Sequence, residues 1–347
     1  MRIHINAPDR TCDFDSKERE SILFAGLRNG IELPYECATG TCGTCKARLI
    51  EGRLSDPWAD APGKKMLKAD QGEFLMCQCV ASGEVAVQVA MAIPAKAAGA
   101  AAAGPMTGLL TGLRHLTHDV AAFEVQLDTH CKFEAGQFVT IAALGVTGRR
   151  SYSMVNFESR AQHFEFVIKK KPGGGFSEWL FGGQAEGTRL EIFGPLGKAT
   201  FEPGLAKNIL CIAGGSGIAG MMSILARACQ ASYFGRHQGH VFFGVRTMRD
   251  AFYLDELSGY CELAGPGLSV TIALSDEDVP LEAPARHPRL RFERGLVHEV
   301  ARRSMAGKFQ DTRAYVAGPP PAVTAALRVL LVDGKLSPAN IRYDKFS

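Results

Sequence analysis

Three cysteines that lie close together in the sequence are the residues best suited to bind a metal. Cys37, Cys42 and Cys45 are separated by four and then two residues, and Cys77 and Cys79 follow further along the chain. Three thiolates from one loop and one from a distant strand are typical of a [2Fe-2S] cluster, whereas structural zinc sites usually pair two C-x2-C knuckles. The spacing therefore predicts an iron–sulfur cluster. Residues two apart on a strand share a face, so either Cys77 or Cys79 can supply the fourth ligand.

Glycine is unusually frequent, at 38 of 347 residues, or about 11% against a usual ~7%. An excess of glycine indicates backbone that must approach another group closely. Gly40 and Gly43 lie between the clustered cysteines. We expect them to let backbone N–H groups turn towards the sulfurs, where such hydrogen bonds help to set a reduction potential.

A second group of residues suits a planar ring attached to a diphosphate. It combines a guanidinium, an aromatic face, a hydroxyl and an amide, from Arg150, Tyr152, Ser153 and Asn156. A glycine run then precedes a helix-like segment and suits phosphate oxygens, through Gly174, Gly175 and Ser177. Taken alone, a strand-end arginine and an ordinary hairpin turn explain these two patterns equally well.

A third group has the order strand, glycine turn and helix that binds dinucleotides. The apolar segment 209–213 leads into a turn formed by Gly214, Gly215, Ser216 and Gly217. This turn also divides the uncharged stretch 209–226, so we expect no membrane span there. Arg246 ends the next predicted strand, where an arginine suits a 2′-phosphate and favours NADP. Near the C-terminus, Gly318 and Pro319 close another strand.

The length of 347 residues predicts two or three domains. The formal net charge of +3 gives no basis for a nucleic-acid groove or a polybasic membrane surface. The polar N-terminal segment lacks the apolar core of a secretory signal. The ten cysteines therefore predict reduced thiols and a cytoplasmic protein, not a disulfide scaffold.

Hydrophobic periodicity indicates three kinds of structure around an alanine-rich linker. Ile3 and Ile5 alternate as in a strand, and Asp15 with Glu18 predicts the start of a helix that ends at Gly30, in a small α+β unit. Short alternating strands after the linker predict an antiparallel β-barrel. Apolar strands then alternate with helices, as in a parallel α/β sheet, at 209–213, 240–245, 268–273 and 314–317. We predict domains at 1–92, 106–204 and 205–347, with the linker at 93–105.

Taken together, these motifs resemble the ferredoxin–NADP reductase superfamily with an N-terminal plant-type ferredoxin. The resemblance covers nearly the whole chain and is greatest for the reductase components of bacterial multicomponent oxygenases, such as those of benzoate dioxygenase and toluene 4-monooxygenase. It implies a β-grasp ferredoxin, an antiparallel barrel for FAD and a parallel α/β domain for the pyridine nucleotide. It also implies that Cys77 is the fourth cluster ligand and that NADH is the coenzyme, despite Arg246.

The resemblance further implies an electron-transfer reductase without catalytic acid, base or nucleophile. Electrons would pass from NADH through FAD and the cluster to an oxygenase hydroxylase component or its separate ferredoxin, in an aromatic or alkene hydroxylation system, and we expect a monomer. Phe346 matches the family's aromatic ending, which can lie against the flavin. Ala317 stands where the family usually has cysteine, so we expect slower or differently tuned hydride transfer. The alternatives are a stand-alone NAD(P)H oxidase or ferric reductase, and a redox-sensing module.

Overall fold

A computed structural model describes residues 1–94 and 102–345. The chain forms two compact units, and both take strands from its middle part. The first unit contains Met1–Gly108, Phe138–Ser151 and Leu190–Leu196, and the second contains Leu109–Gln137, Tyr152–Arg189 and Gly197–Ser347.

The N-terminal module is a five-stranded mixed sheet with one helix, in the strand order β2-β1-β7-β3-β5. Strands β1 and β7 are parallel, and the other neighbouring strands are antiparallel. Two short strands, β4 and β6, pair separately. The elements are β1 (Arg2–Asn6), β2 (Thr11–Asp15), α1 (Ile22–Arg28), β3 (Lys46–Glu51), β4 (Leu54–Ser55), β5 (Glu73–Leu75), β6 (Val80–Ala81) and β7 (Val85–Gln88).

The helix of this module begins later than the sequence predicts. Its N-cap is Ser21, whose side chain accepts a hydrogen bond from the N–H of Phe24, so the predicted start at Asp15 and Glu18 was wrong. A hydroxyl directly before the apolar helical run is a better cap than a carboxylate six residues earlier. The predicted end is confirmed, because Gly30 has a φ of +78°, a conformation that favours glycine after a helix.

The middle part of the chain forms a six-stranded sheet with the order β11-β10-β13-β8-β9-β12. Antiparallel pairing joins β10 to β13 and β9 to β12, as the predicted barrel requires. The elements are β8 (Gly104–His115), β9 (Val120–Cys131), β10 (Phe138–Ala143), β11 (Arg150–Ser153), β12 (Ala161–Lys169), α2 (Gly175–Phe181) and β13 (Arg189–Leu196).

The C-terminal part contains a six-stranded sheet with the order β17-β16-β15-β14-β18-β19. Every neighbouring pair is parallel, which confirms the predicted α/β sheet. The elements are β14 (Asn208–Gly214), α3 (Ala219–Gln230), β15 (Gly239–Val245), α4 (Leu254–Ala264), β16 (Leu268–Leu274), α5 (Ala283–Arg286), β17 (Arg291–Arg294), α6 (Val297–Ser304), β18 (Thr312–Gly318), α7 (Pro320–Arg328) and β19 (Ile341–Lys345).

The connections of this sheet place a crevice beside its first strand. From β14 the chain moves in one direction through β15, β16 and β17, and then returns on the other side at β18. Ligands of parallel sheets bind outside the carboxyl ends of the strands where the strand order reverses. The predicted dinucleotide turn follows β14, and Gly318 ends β18, so both lie at this position.

Alternating side chains of β14 enter two hydrophobic clusters, as expected for a strand buried on both faces. Ile209 and Cys211 belong to one cluster, whereas Leu210 and Ile212 belong to the other. All four side chains are at most 2% exposed. The turn after β14 is therefore held by a fully packed strand.

Part of the predicted linker lies outside the described residues, at 95–101. On its N-terminal side, Ile93 is 1% exposed and its N–H donates to Asp9 Oδ1 at 3.0 Å. On its C-terminal side, β8 begins at Gly104. The domain boundaries stay a prediction. Among the described residues, no helix combines the length and the apolar character needed to cross a bilayer.

Candidate functional site

The loop between α1 and β3 brings the first two predicted thiols together. The N–H groups of Thr39 and Cys42 each donate to Cys37 Sγ at 3.4 Å, and the Cys37 N–H donates to Cys42 Sγ at 3.5 Å. The Cys42 thiol and the nearby hydrogen-bond donors lower the pKa of Cys37 to about 4, because they favour its thiolate form. This part of the loop is therefore suited to a charged sulfur ligand.

Cys77 and Cys79 have different surroundings. The Cys77 thiol is hydrogen-bonded to the Cys45 thiol, which lowers the pKa of Cys77, and Gln78 Nε2 donates to Cys77 Sγ at 3.3 Å. In contrast, burial and the carboxylate of Asp56 raise the pKa of Cys79 to about 12. Cys77 is thus a neighbour of the loop thiols, whereas Cys79 is a buried neutral thiol beside a carboxylate.

The four thiols form two contacting pairs, Cys37 with Cys42 and Cys45 with Cys77. Two irons with two protein ligands each match this donor set, which is the ligand chemistry of a [2Fe-2S] cluster. Gly43 lies between the pairs with a φ of +74°, and a Cβ there would lie 2.8 Å from Met66 Sδ. The backbone conformation therefore favours glycine at this position, whereas the exposed Met66 side chain could move aside.

Within the first compact unit, the start of β11 lies against the loop between α1 and β3, which is called the cluster loop below. The Ser151 hydroxyl donates to the carbonyl oxygen of Cys37. The Arg150 guanidinium lies 5.9 Å from the centroid of the Trp58 ring, and its Nη1 donates to Arg149 O at 2.9 Å. Thus the two residues before Tyr152 contact the module that carries the thiols.

The rest of the predicted flavin motif lies in the second compact unit. The Tyr152 ring is 5.3 Å from the Phe176 ring, centroid to centroid. Gly174 is the N-cap of α2, and a Cβ there would lie 2.7 Å from Ser177 Oγ. Ser177 Oγ in turn accepts from the Lys171 N–H at 3.1 Å. This glycine turn is therefore tightly closed around Ser177, and Gly175 is the first helical residue.

The outer side of this turn has room for phosphate oxygens. Gly173 has a φ of +71°, and a Cβ there would meet no atom within 4 Å. The Gly173 N–H donates to Glu178 Oε1 at 2.8 Å, so a carboxylate currently uses a donor that an anionic ligand would use. An aromatic face, a tight glycine turn and open space beside Gly173 fit a flavin with a diphosphate.

The Asn156 side chain makes both of its hydrogen bonds to strand β12. Its Nδ2 donates to His163 O at 3.0 Å, and its Oδ1 accepts from the Glu165 N–H at 2.9 Å. Asn156 therefore fixes the segment after β11 to the neighbouring strand. Its predicted contact with a cofactor stays a prediction.

The dinucleotide turn is formed by mutual close approach of two strand ends. A Cβ on Gly217 would lie 2.4 Å from Ala317 O and 2.8 Å from Gly318 N. A Cβ on Gly318, whose φ is +142°, would lie 2.9 Å from Gly214 O. Gly214 in turn would place a Cβ 3.2 Å from Pro319 Cδ. Side chains are thus excluded where the backbone must receive a nucleotide.

Beside Gly215 the crevice is open, since this residue has a φ of +53° and a Cβ there would meet no atom within 4 Å. Ser216 follows it in the one 3-10 turn that leads from β14 to α3. The positive φ at Gly215 and the close approaches at Gly214 and Gly217 make a backbone cradle at the carboxyl end of β14. This cradle fits the diphosphate of a dinucleotide.

A small cavity of about 20 Å³ adjoins the ends of β11 and β18. Ser153, Ala317 and Gly220 line it together with Tyr315, Arg342 and Asp344. Ser153 is 7% exposed, and a Cβ on Gly220 would lie 3.6 Å from its hydroxyl oxygen. The serine of the flavin motif and the alanine of the nucleotide motif therefore line the same space.

Sequence reasoning missed most residues of this cavity, among them the polar residues Tyr315 and Arg342, and gave Asp344 no role. Tyr315 Oη donates to Thr200 O at 3.1 Å. Burial and the nearby Arg313 lower the pKa of Arg342. Alternation along β19 was the available signal, because Arg342 and Asp344 are two apart on one strand. Phe346 lies outside the described residues, so its contact with a flavin stays a prediction.

Arg246 is surrounded by carboxylates. Its Nη2 lies 3.2 Å from Asp250 Oδ1 and 4.0 Å from Asp119 Oδ2. Asp250 is also hydrogen-bonded to the N–H and hydroxyl of Thr247, and these bonds together with Arg246 lower its pKa despite its burial. The lowered pKa keeps the Asp250 carboxylate ionised, and it therefore offsets the positive charge that a 2′-phosphate would require.

Comparison with known families agrees with this arrangement. Residues 5–82 match the 2Fe-2S iron-sulfur cluster binding domain. Residues 108–201 match the oxidoreductase FAD-binding domain, and residues 211–328 match the oxidoreductase NAD-binding domain. The protein is thus an iron–sulfur flavoprotein oxidoreductase with a pyridine-nucleotide domain.

Individual relatives match along almost the entire chain. The ferredoxin–NAD(P)+ reductase CarAd of Metapseudomonas resinovorans is 35% identical over 94% of each chain. The ferredoxin–NAD+ reductase component of the alkene monooxygenase system of Xanthobacter autotrophicus is 33% identical over 96% of this chain and 97% of its own. A solved structure, the ferredoxin reductase in carbazole 1,9a-dioxygenase, has a TM-score of 0.82 and 32% identity, covering 100% of this chain and 99% of its own.

The chain therefore belongs to the family of ferredoxin–NAD(P)+ reductases that join a ferredoxin module to an FAD-binding and an NAD-binding domain. This confirms the family, the fold and the three cofactor classes predicted from the sequence. The closer resemblance to the reductases of toluene 4-monooxygenase and benzoate dioxygenase stays a prediction.

Proposed function

We propose that the protein takes electrons from NADH and delivers them one at a time to a component of an oxygenase system. The observation that carries this proposal is the presence, in one chain, of two thiol pairs, a flavin motif and a nucleotide crevice. When bound, FAD accepts the two electrons of a hydride and passes them on singly, which suits a one-electron cluster. The protein's own residues then have to bind, orient and shield these groups.

We assign the cluster to Cys37, Cys42, Cys45 and Cys77. The contact between the thiols of Cys45 and Cys77 supports the choice of the fourth ligand. The carboxylate beside Cys79 argues against a second thiolate there, since like charges repel. The N–H donors to Cys37 Sγ would orient this sulfur and help to tune the cluster.

We assign the flavin and the nucleotide to two separate sets of residues. Tyr152 offers a ring face, and Ser153 lies beside Ala317 at the cavity where the two cofactors would meet. The flavin set comprises Arg150, Tyr152, Ser153, Gly174, Gly175 and Ser177, with Asn156 acting through the backbone it supports. The nucleotide set comprises Gly214, Gly215, Ser216, Gly217, Arg246, Gly318 and Pro319.

NADH is the coenzyme we expect, although Arg246 stands at the strand end. Its guanidinium already faces Asp250 and Asp119. A 2′-phosphate would have to share this arginine with two carboxylates and would meet their repulsion. The two hydroxyls of an adenosine ribose carry no such charge.

The electron acceptor is, in our proposal, an oxygenase hydroxylase component or its separate ferredoxin, in a system that oxidises an aromatic or alkene substrate. The relatives support this assignment, since one is named as a component of an alkene monooxygenase system and a solved neighbour as the reductase of carbazole 1,9a-dioxygenase.

We further propose a monomer in the cytoplasm. All ten cysteines are free of disulfides, which supports a reducing compartment.

Acceptor selection tests the proposal. Purified protein with NADH should reduce a ferredoxin or hydroxylase component of such a system, and product should form in step with NADH consumption. The Cys77→Ser variant should still reduce ferricyanide with NADH but should lose transfer to the protein acceptor, whereas Cys79→Ser should keep both. Rapid NADH consumption with oxygen alone, unchanged by any protein acceptor, would instead identify a stand-alone oxidase.

A further inference from the structure

The N-terminal module, which carries the four proposed cluster ligands, is called the cluster module below. Three contacts hold it against the strands of the flavin barrel inside the first compact unit. We call them the docking contacts. They are the contacts of the Phe24 ring with Phe193 and with Arg149, the contact of the Trp58 ring with Arg150, and the hydrogen bond from Ser151 to the Cys37 carbonyl. None of the three uses a cysteine thiol, so they are available whether or not the cluster is present.

The Phe24 contact involves two side chains of the barrel, Phe193 and Arg149. The Phe24 and Phe193 rings are stacked at 4.1 Å between centroids, with an angle of 12° between their planes. The Arg149 guanidinium lies 5.8 Å from the centroid of Phe24. Phe24 and Phe193 are 9% and 4% exposed, so this contact excludes water and gains from both burial and ring geometry.

Arg149 itself is fixed to the barrel. Its Nε donates to Thr140 Oγ1 at 3.0 Å, and its Nη2 donates to Glu191 O at 3.0 Å. The Glu191 carboxylate lies 3.6 Å from its Nη1. The guanidinium is therefore held by residues of β10 and β13, and it contacts Phe24 in the helix of the N-terminal module.

The helix that carries Phe24 is bonded to the segment of the fourth proposed ligand. The Leu23 N–H donates to Met76 O at 2.9 Å, and the Ile22 N–H donates to Cys79 O at 3.0 Å. These two carbonyls flank Cys77 in the chain. A displacement of Phe24 would therefore be transmitted directly to the Cys77 segment.

The other two docking contacts reach the remaining part of the cluster loop. The hydrogen bond from Ser151 ends on the backbone of Cys37 itself. Trp58 lies in the segment whose Gly63 N–H donates to Gly40 O at 2.8 Å, between Cys37 and Cys42. All three contacts thus lead from the barrel to a segment that holds a proposed cluster ligand.

We propose that the docking contacts fix the cluster-binding loop against Arg150 and Ser151 at the start of β11, within the first compact unit, and that Phe24 is the positioning residue that maintains this arrangement for electron transfer to the cluster. The inference rests on the proposed function. With both groups bound, the four proposed ligands would hold a cluster that accepts one electron, and Arg150 would contact the flavin that supplies it, so that the flavin would be oxidised and the cluster reduced. NADH supplies the electron pair, and no bond between protein atoms forms or breaks.

Three variants and rapid kinetics test the inference. Phe24→Leu removes the ring that stacks on Phe193 and contacts Arg149, while Phe24→Tyr keeps it. Phe14→Leu is the matched control, because Phe14 is 3% exposed in the interior of the same module. After anaerobic mixing with NADH, flavin absorbance follows hydride transfer, and the EPR signal of freeze-quenched samples follows reduction of the cluster.

In Phe24→Leu we expect the rate of cluster reduction to fall about tenfold, because the docked arrangement becomes only one of several populated arrangements. The rate of flavin reduction should stay within twofold of wild type, a margin of roughly 0.4 kcal/mol. Phe24→Tyr should restore cluster reduction. Phe14→Leu should lower stability but leave the rate of cluster reduction unchanged.

A measurement independent of turnover accompanies the kinetics. Hydrogen–deuterium exchange should rise in β10 and β13 in Phe24→Leu but not in Phe14→Leu, because only the first variant uncovers the barrel strands. Equal rates of cluster reduction in wild type and Phe24→Leu, with wild-type exchange in both strands, would overturn the inference. If the wild-type cluster is not reduced by NADH at all, the proposed function fails instead.

Discussion

The four-thiol site, formed by the loop between α1 and β3 together with Cys77, and the crevice between β14 and β18 are both binding sites at turns of the chain, but they are made in opposite ways. At the loop, side chains are the ligands, and glycines such as Gly43 only give the backbone the conformation it needs. At the crevice, the absence of side chains is the essential property, because Gly217 and Gly318 let two strand ends approach within atomic contact.

This difference determines how each site responds to substitution. A missing sulfur removes a bond to the metal that no neighbour replaces. An added methyl group in the crevice displaces backbone without removing any hydrogen-bonding group. We therefore expect all-or-none effects at the loop and graded effects at the crevice, and the predictions below run from the first kind to the second.

The largest effect is expected at the fourth ligand. Cys77→Ser should abolish the cluster, seen as complete loss of its EPR signal and visible absorption, because the Cys45 and Cys77 thiols form one of the two pairs. Cys79→Ser should keep the cluster, since the Cys79 thiol lies beside Asp56. Loss of the cluster in Cys79→Ser, with retention in Cys77→Ser, would reverse the ligand assignment.

A smaller, graded effect is expected for Gly217→Ala. The new Cβ would lie 2.4 Å from Ala317 O, so backbone must shift, at a cost of about 1–3 kcal/mol in the free energy of unfolding. Because the shifted strand end lines the crevice, the KM for NADH should rise about tenfold, which corresponds to roughly 1.4 kcal/mol of binding. Urea denaturation and steady-state kinetics measure the two changes.

Gly259→Ala is the matched control within α4, where a Cβ would meet no atom within 4 Å. This change should leave the KM for NADH unaltered and should stabilise the protein by up to about 1 kcal/mol, because alanine favours a helix over glycine. If Gly217→Ala behaves like Gly259→Ala, the close approach of the two strand ends is not what forms the crevice.

A change of a few-fold is expected for the charges around Arg246. Asp119→Asn removes a carboxylate 4.0 Å from the guanidinium, so kcat/KM for NADPH should rise about two- to fivefold, as for a largely exposed ion pair. The kcat/KM for NADH should change little. Added salt should reduce the difference in kcat/KM for NADPH between the variant and wild type. Glu262→Gln, which removes a partner of Arg289 at 3.2 Å, should alter neither. A fall in NADPH use would contradict the proposed role of Asp119.

The smallest effect concerns the surface of the cluster module. His4 is hydrogen-bonded to Glu84 and Asp13 at 2.8 Å each, and these bonds raise its pKa. Its contribution to stability is therefore complete below its unfolded pKa of about 6.5 and is lost as pH rises through the higher folded value. His4→Gln should flatten the pH dependence of unfolding in this window and leave the cluster spectrum unchanged. An unaltered slope would exclude the contribution of His4.

The sequence predicts the folded elements better than the residues of the nucleotide sites. The apolar segments at 209–213 and 268–273 correspond to β14 and β16 to within one residue, because strands buried on both faces are continuous apolar runs. The cap of α1 at Ser21 was missed, because a carboxylate pair earlier in the chain also matches the capping pattern.

The cluster ligands are easier to predict than the crevice for a physical reason. A metal ligand must be a particular side chain, so spacing alone selects Cys37, Cys42 and Cys45. The partners of Arg246, in contrast, come from the hairpin before β9 and from the turn after β15. Asp250 is only four residues from Arg246, so the sequence shows that spacing. Asp119 is far from Arg246 in the chain, so this contact depends on tertiary structure and no local pattern reports it.

The central claim is that NADH electrons reach the cluster through the flavin within this one chain. Anaerobic addition of NADH to the purified protein, followed by visible absorption and low-temperature EPR of the same sample, tests this claim most directly. We predict bleaching of the flavin together with the appearance of a rhombic EPR signal from a reduced [2Fe-2S] cluster, both absent without NADH. Flavin bleaching with no cluster signal in the wild-type protein would contradict the account.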